Sequence, residues 1–469
     1  MQRDGGIENA ETQSRDPNWS AAADAQADTR HLHLVVAWSA HEPERVGESC
    51  ALTRPCTLGR GASSHSEERP RLEFFRSRPG EQVPTGFLTA PKLSRQQWNL
   101  VAKDASLTIE NVGKSPLLHN GRRTESCRAV AGDTVGVEDV VLMLVTQRPK
   151  LISPLGSAAF AFGAADEHGI VGETAETWQL RRELQRLANN SAHVLILGAS
   201  GTGKELCAQA IHRASVRSKA PLVARNAATI PASLLEAELF GQVAGYPNAG
   251  SPARKGLVGA ADKGCLFLDE LAELGAAQQA SLLRVLDSGE YQRLGEEQTR
   301  RSDLRCIGAT NRALDALKPD VLARFPERIL VPDVNARRAD IPLLMRAILA
   351  RLAKEAGLAG IECSQELTEA LVRHQYQLNF RELERLLRLA CRTSASGRLL
   401  LTQAVRAELV LPAKGEPDAE RIRAALRNST SASEAAIALG LPSRFALRRL
   451  MKRLGMATSD SAGLEADEN

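Results

Sequence analysis

Residues 193–213 read HVLILGASGTGKELCAQAIHR. Four apolar residues, Val194 to Leu197, have the length of a short buried strand, and Lys204 opens a stretch with helical spacing. Between them lies glycine, four residues, then glycine and lysine, the pattern of a phosphate cradle in the strand-to-helix setting it requires. The glycines let successive backbone N–H groups turn inward onto phosphate oxygens, and the helix N-terminus adds partial positive charge. On this reading Gly198, Ala199, Ser200, Gly201, Thr202, Gly203 and Lys204 hold ATP, with Lys204 reaching the β- and γ-phosphates. The next residue is Glu205, where a hydroxyl that sits on Mg²⁺ is usual.

Two further strands complete the chemistry. LFLDE, residues 266–270, ends in two carboxylates: Asp269 is placed to hold Mg²⁺, and Glu270 to polarise the attacking water. LRCIGAT, residues 304–310, runs into Asn311, placed to sense the γ-phosphate. Strand-like and helical stretches alternate through 168–338, which predicts an α/β subdomain with a parallel sheet. Residues 339–411 are predicted to be helical throughout, with leucines three and four apart in ELERLLRLA, and to form a lid.

Outward from this core, residues 150–167 read as a Pro/Gly/Ala linker. Residues 31–149 carry short apolar runs (HLHLVVAW, LTIENVG, VLMLVTQ) punctuated by Gly, Pro and Asn, the pattern of an all-β sandwich. Residues 418–456 are predicted as three short helices, the last two joined by Gly440-Leu441-Pro442 as in a helix-turn-helix. That segment holds eight Arg/Lys against three acids, a net of +5, although the whole chain of 469 residues carries only +4. Five of the eight lie on the last helix, so DNA is the expected partner, contacted by Arg444, Arg448, Arg449 and Lys452, with Ser443 as the helix cap. Residues 1–30 and 457–469 are polar and aperiodic, and are expected to be disordered tails.

Composition excludes several classes. The eight cysteines contain no C-x-x-C pair, so neither a zinc knuckle nor a redox motif is indicated, and reduced thiols packed as small hydrophobes are expected. The N-terminus lacks the apolar core of a secretory signal, and no apolar run approaches the roughly 18 residues of a membrane span. The expected location is the cytoplasm.

GASGTGKELCAQAIH resembles GESGTGKELVARAIH of the sigma-54-dependent transcription activators, in which Glu also follows the lysine. LLEAELFG, GCLFLDEL, LLRVLDSGEYQRLG, RCIGATN and NFRELERLL resemble the same family in order and spacing over roughly 169–410. The resemblance implies a AAA+ P-loop domain with a helical lid, assembled with other copies into a ring, commonly a hexamer, whose active sites lie between subunits. It implies that Asn226 holds the catalytic glutamate until ATP is sensed, and that Arg324 is an arginine finger donated to the neighbouring site. Lys318 stands where the first finger is expected, keeping the charge without the bidentate fork. Arg381 matches the lid arginine that reads the nucleotide.

The C-terminal unit resembles the Fis-type helix-turn-helix that ends most such activators. The β domain resembles the forkhead-associated (FHA) fold, a phosphothreonine reader. Leu58-Gly59-Arg60-Gly61, Leu93-Ser94-Arg95 and Asn120-Gly121 carry that likeness, which implies phosphopeptide contact by Arg60, Ser94, Arg95 and Asn120. Two positions depart from it: Gln97 replaces the histidine, and Ser115 the asparagine that contacts peptide backbone. A third departure is in the loop that touches sigma-54. The family's GAFTGA is here Gly245-Tyr246-Pro247-Asn248-Ala249-Gly250. Two functions remain open: a ring ATPase that remodels sigma-54 RNA polymerase under phosphothreonine control, or a DNA-binding regulator whose AAA+ core no longer engages sigma-54.

Overall fold

Two strands with both faces buried decide how the parts sit together. In Arg30–Ser39, Leu32, Leu34 and Val36 point into the core of a β sandwich, while Val35 and Ala37 enter a second core on the opposite face. In the antiparallel partner Val141–Pro149, Val141, Met143 and Val145 point inward, and Leu142 and Leu144 outward. An antiparallel sheet with one solvated face would alternate apolar and polar residues, whereas these runs are apolar on both. The cover on the second face is the helical lid, whose Leu343, Leu367 and Leu371 share that core.

The computed structural model describes residues 30–453 except 62–68, 104, 153–158, 232, 359, 395–396, 412–421, 424, 427–431, 433–434, 437–438, 440 and 442–443. An eight-stranded and a four-stranded sheet form the sandwich, filled by Phe74, Trp98, Leu100, Leu107 and Ile109 among others. The hairpin Phe74–Arg78 with Glu81–Gly86 was not evident from the sequence, because charges and Pro84 interrupt its apolar pattern. Part of the stretch read as a linker is packed: Phe160 stacks on Trp178 at 5.8 Å, and the Arg78 guanidinium lies 4.7 Å from the Phe160 ring centroid.

Next comes a five-stranded parallel sheet in the order Leu222–Asn226, Cys265–Asp269, Arg305–Thr310, Val194–Leu197, Glu327–Leu330. The last strand escaped the sequence reading, since ERIL is four residues long and half charged. The lid packs the helices Ile341–Glu355, Gln365–Arg373, Asn379–Thr393 and Gln403–Ala407. It is not helical throughout: Glu362–Cys363 pairs with Arg398–Leu399 as a small parallel bridge. Ile422, Leu426, Ala435, Ala436 and Leu439 share a separate small core with Leu447, Leu450 and Met451 of the helix Arg444–Arg453. All eight cysteines are free thiols, five of them buried. Among the described residues no helix is long and apolar enough to cross a membrane.

His33 lies on the first strand, 3% exposed, with neither ring nitrogen hydrogen-bonded among the described residues. Burial, aided by the nearby Arg148 charge, holds its imidazole down to about 3, from 6.5. The folded form therefore resists a proton that the unfolded chain accepts. Stability from this group is complete above pH 6.5 and is lost as pH falls, at about 1.4 kcal/mol per pH unit. His33→Leu should make the drop in unfolding free energy between pH 7 and pH 5 smaller by about 2 kcal/mol. Denaturant titrations at the two pH values measure it, and parallel losses in both proteins would contradict the assignment.

Candidate nucleotide-binding site

The candidate residues collect at the C-terminal edge of the parallel sheet, where ligands of open α/β sheets bind. Gly203 precedes the helix Lys204–Arg213 with φ 95°, and Gly198 N–H donates to the Thr310 carbonyl at 3.3 Å. That bond ties the phosphate loop to the strand that precedes Asn311, which is exposed. Lys204 is 7% exposed, and its Nζ donates to the Gly198 and Ala199 carbonyls at 2.9 and 3.3 Å. Thr202 Oγ1 donates to the Ala199 carbonyl at 2.9 Å. Glu205 faces solvent and accepts from Gln209 Nε2 at 3.4 Å.

Asp269 ends its strand in register with Asn226. Its Oδ1 accepts from the Glu270 N–H at 3.0 Å, and its Oδ2 from Asn226 Nδ2 at 3.5 Å. The Asn226 amide thus faces Asp269, rather than the glutamate it was expected to hold. Glu270 has φ 53°, and its Oε2 is buried with no hydrogen-bond partner among the described residues. A buried carboxylate oxygen of this kind suits an activated water or a hydrated cation, so the residues present fit a Mg²⁺ nucleotide.

The lid closes onto this loop through four consecutive residues. Asn379 Nδ2 donates to the Ser200 carbonyl at 2.9 Å, Phe380 N–H to the Gly201 carbonyl at 3.1 Å, and Arg381 Nη1 to Ser200 Oγ at 3.3 Å. A Cβ on Gly201 would lie 2.2 Å from the Leu378 carbonyl oxygen. Glu382 shapes the turn, accepting from the Gln377 and Leu378 N–H groups at 2.7 and 2.9 Å and pairing with His374 at 2.9 Å. Burial would raise its carboxyl, but these hydrogen bonds outweigh burial and hold it below the usual carboxylate range. Beside the loop opens a cavity of about 350 Å³ lined by Ile170, Val171, Gly203, Leu206, Ile348 and Phe380. Its size and apolar walls suit a nucleotide base. The sequence reading missed this wall, although GIVG at 169–172 directly before a helix was visible.

Other expected residues lie elsewhere. Arg324 is half exposed and ion-paired with Asp287, and the Lys318 N–H donates to Gln279 Oε1 at 2.9 Å. In the loop after ELFG, Tyr246 is 40% exposed and its ring packs against Gly295, while Pro247 and Asn248 are exposed. On the sandwich, Arg60 N–H donates to the Ser94 carbonyl at 2.9 Å, and Ser94 Oγ accepts from the Lys114 N–H at 3.0 Å. Gln97, fully buried, accepts from the Ser94 N–H at 3.2 Å and donates to Asn111 Oδ1 and the Ser115 carbonyl, each at 2.8 Å. The exposed Arg95 follows Ser94, its carbonyl packed against Gly59.

Asn120 does not join this group. It takes φ 51° in a turn, donates to Asp133 Oδ1 at 2.8 Å and accepts from the Thr134 N–H at 3.0 Å, so its amide is engaged in holding the turn. At the C-terminus Arg444, Arg448 and Arg449 are exposed on the helix whose Leu447, Leu450 and Met451 are buried. Lys452 lies in that helix, but its side chain, like Ser443, is outside the described residues.

Residues 170–324 match the family model for the sigma-54 interaction domain, and residues 335–422 that for the AAA+ ATPase lid domain. The chain is 34% identical over 368 residues to the anaerobic nitric oxide reductase transcription regulator NorR of Salmonella arizonae, covering 71% of each protein. This chain belongs to the sigma-54-dependent transcription activators. As one of these activators it carries a AAA+ ATPase module. A Nif-specific regulatory protein of Bradyrhizobium diazoefficiens is 39% identical over 321 residues, 65% of this chain and 54% of that protein. The match thus spans about half of that relative's length. A solved structure of NtrX from Brucella abortus in complex with ATP is 30% identical, covering 61% of this chain and 70% of that one, at a TM-score of 0.47.

Gly201 sits at the seam of loop and lid with φ 76°, whereas Gly357 has φ 67° and nothing within 4 Å of a Cβ built on it. Gly201→Ala and Gly357→Ala therefore carry similar backbone strain, about 1–2 kcal/mol, but only the first collides with Leu378. Titration with a fluorescent ATP analogue should show Gly201→Ala weakened by about tenfold or more, roughly 1.4 kcal/mol, and Gly357→Ala unchanged. Equal affinities for the two variants would refute the seam.

Proposed function

We propose that this chain hydrolyses ATP between the subunits of a ring and uses it to remodel sigma-54 RNA polymerase from a DNA site. The observation that carries the reading is the convergence of Lys204, the Asp269–Glu270 pair and Arg381 at the edge of one parallel sheet. Lys204 binds the β- and γ-phosphates, Asp269 holds Mg²⁺ and Glu270 orients water, while Asn311 and Arg381 report the γ-phosphate and the lid position. Arg324 acts on the neighbouring subunit's nucleotide, and its exposure suits that role. Lys318 is its weaker companion.

The C-terminal unit is a Fis-type helix-turn-helix that sets Arg444, Arg448 and Arg449 against DNA, a reading supported by their exposure opposite a small apolar core. The sandwich is an FHA domain receiving a phosphothreonine protein at Arg60, Ser94 and Arg95. Gln97 takes over the bracing role of the missing histidine by tying the Ser94 and Ser115 loops together.

If Arg324 works in trans, Arg324→Ala and Glu270→Gln should each lose ATP turnover by about 100-fold or more while still binding ATP. Mixing the two should restore part of the activity, because some interfaces regain one intact set. No recovery at any mixing ratio would rule out a shared site.

A second reading rests on the loop at Gly245–Gly250. With Pro247 and Asn248 at the positions of Phe and Thr, the surface offered to sigma-54 is altered, and proline fixes its own φ and lacks an N–H. On this reading the ring hydrolyses ATP and binds DNA but remodels sigma-54 polymerase weakly, and Pro247→Phe with Asn248→Thr should increase open-complex yield severalfold. Strong open-complex formation by the natural chain, insensitive to Tyr246→Ala and Asn248→Ala, would exclude this reading in favour of the first.

A further inference from the structure

The base cavity has walls from two separate parts of the chain. Ile170 and Val171 belong to the segment entering the α/β subdomain, and Leu344, Ile348 and Phe380 belong to the lid. Asp340, 1% exposed, joins the two at a point, accepting from the Glu173 and Thr174 N–H groups at 2.7 and 3.0 Å and from Thr177 Oγ1 at 2.5 Å. The second junction is the seam of Asn379, Phe380 and Arg381 with Ser200 and Gly201, and two junctions fix a pivot axis through Asp340, not the angle about it.

The β sandwich holds both walls away from that pivot. On the lid it grips the helix Gln365–Arg373 and the short strand Glu362–Cys363 before it. Thr134 Oγ1 donates to Glu369 Oε1 at 2.5 Å, Asp139 N–H to Gln365 Oε1 at 2.7 Å, and Trp38 Nε1 to the Cys363 carbonyl at 2.9 Å. Val35, Ala37, Leu142 and Leu144 share the lid's apolar core. On the entry segment it grips Glu173, two residues past Val171. Arg78 Nη2 pairs with Glu173 Oε1 at 2.7 Å, and Arg148 Nη2 donates to the Glu173 carbonyl at 2.8 Å. Glu173 is 2% exposed and also accepts from Trp178 Nε1 at 3.1 Å and the Gly163 N–H at 2.7 Å.

We propose that the β sandwich is a brace across the nucleotide pocket: it fixes the angle of the lid about Asp340, so that nucleotide affinity depends on Arg78–Glu173 and Gln365–Asp139 contacts outside the pocket. A braced pocket meets the nucleotide with its walls already placed, whereas an unbraced one loses freedom on binding and binds more weakly. The lid attachment is broad and apolar, and the entry attachment is a buried ion pair, so the entry side is where the brace yields. Losing one partner there leaves an uncompensated buried charge. Coupling is reciprocal, so bound nucleotide must tighten the sandwich on the lid.

The test uses the full chain. Arg78→Met keeps the apolar stem and removes the charge. Affinity for a fluorescent ADP analogue should fall by about tenfold, and Arg78→Lys should recover part of it. In the wild type, ADP should slow amide exchange in 134–149, and in Arg78→Met that protection should disappear. Gln365→Ala loosens the lid side and should weaken ADP in the same direction, which keeps the test alive if Arg78→Met does not fold. Affinity within twofold of wild type in a folded variant, with nucleotide-independent exchange in 134–149, would overturn the brace and leave a merely structural contact.

Discussion

The hydrogen bond from the Phe380 N–H to the Gly201 carbonyl, at 3.1 Å, is where the two halves of the ATPase module meet. It exists because residue 201 has no side chain and adopts φ 76°, which lets the lid backbone approach the phosphate loop. Arg381 reaches Ser200 only because Glu382, one residue later, holds the preceding turn by two N–H groups and His374. Displacing this seam would separate the phosphate cradle from the lid arginine and open the base cavity, whose walls come from both subdomains.

Around the seam, burial does most of the organising. The sandwich spends both faces of its central strands, one on its own core and one on the lid, so the N-terminal domain is docked rather than tethered. The Glu369, Gln365 and Glu173 side chains drawn into that interface are paired, with Thr134, the Asp139 N–H and Arg78 respectively. Pairing is the condition on which buried carboxylates are tolerated. Arg444, Arg448, Arg449 and Arg324 stay at the surface, where a partner surface can reach them.

Much of the site was legible in the sequence. The phosphate loop is contiguous, and its glycines, lysine and flanking strand carry their own chemistry over seven residues. Asp269 and Glu270 follow an apolar run whose end marks the sheet edge. What escaped reading depends on distant chain segments. The base-cavity wall joins Ile170 to Ile348 and Phe380, and the Asn120 amide turned to Asp133 in a local turn. The docking of sandwich on lid did leave a trace, in HLHLVVAW and VLMLV, which are apolar on both faces. That pattern announces a cover without naming it.

On the proposed function, this edge of the sheet binds ATP with its lid closed and is completed by a second copy. A structure of the full chain with ADP, Mg²⁺ and an aluminium fluoride phosphate mimic addresses it directly. The expected result is phosphates on Lys204, the metal beside Asp269, the base between Ile170 and Phe380, and a neighbouring copy's Arg324 released from Asp287 and turned to the mimic. A nucleotide bound elsewhere, or a ring in which every Arg324 remains on its own Asp287, would contradict it.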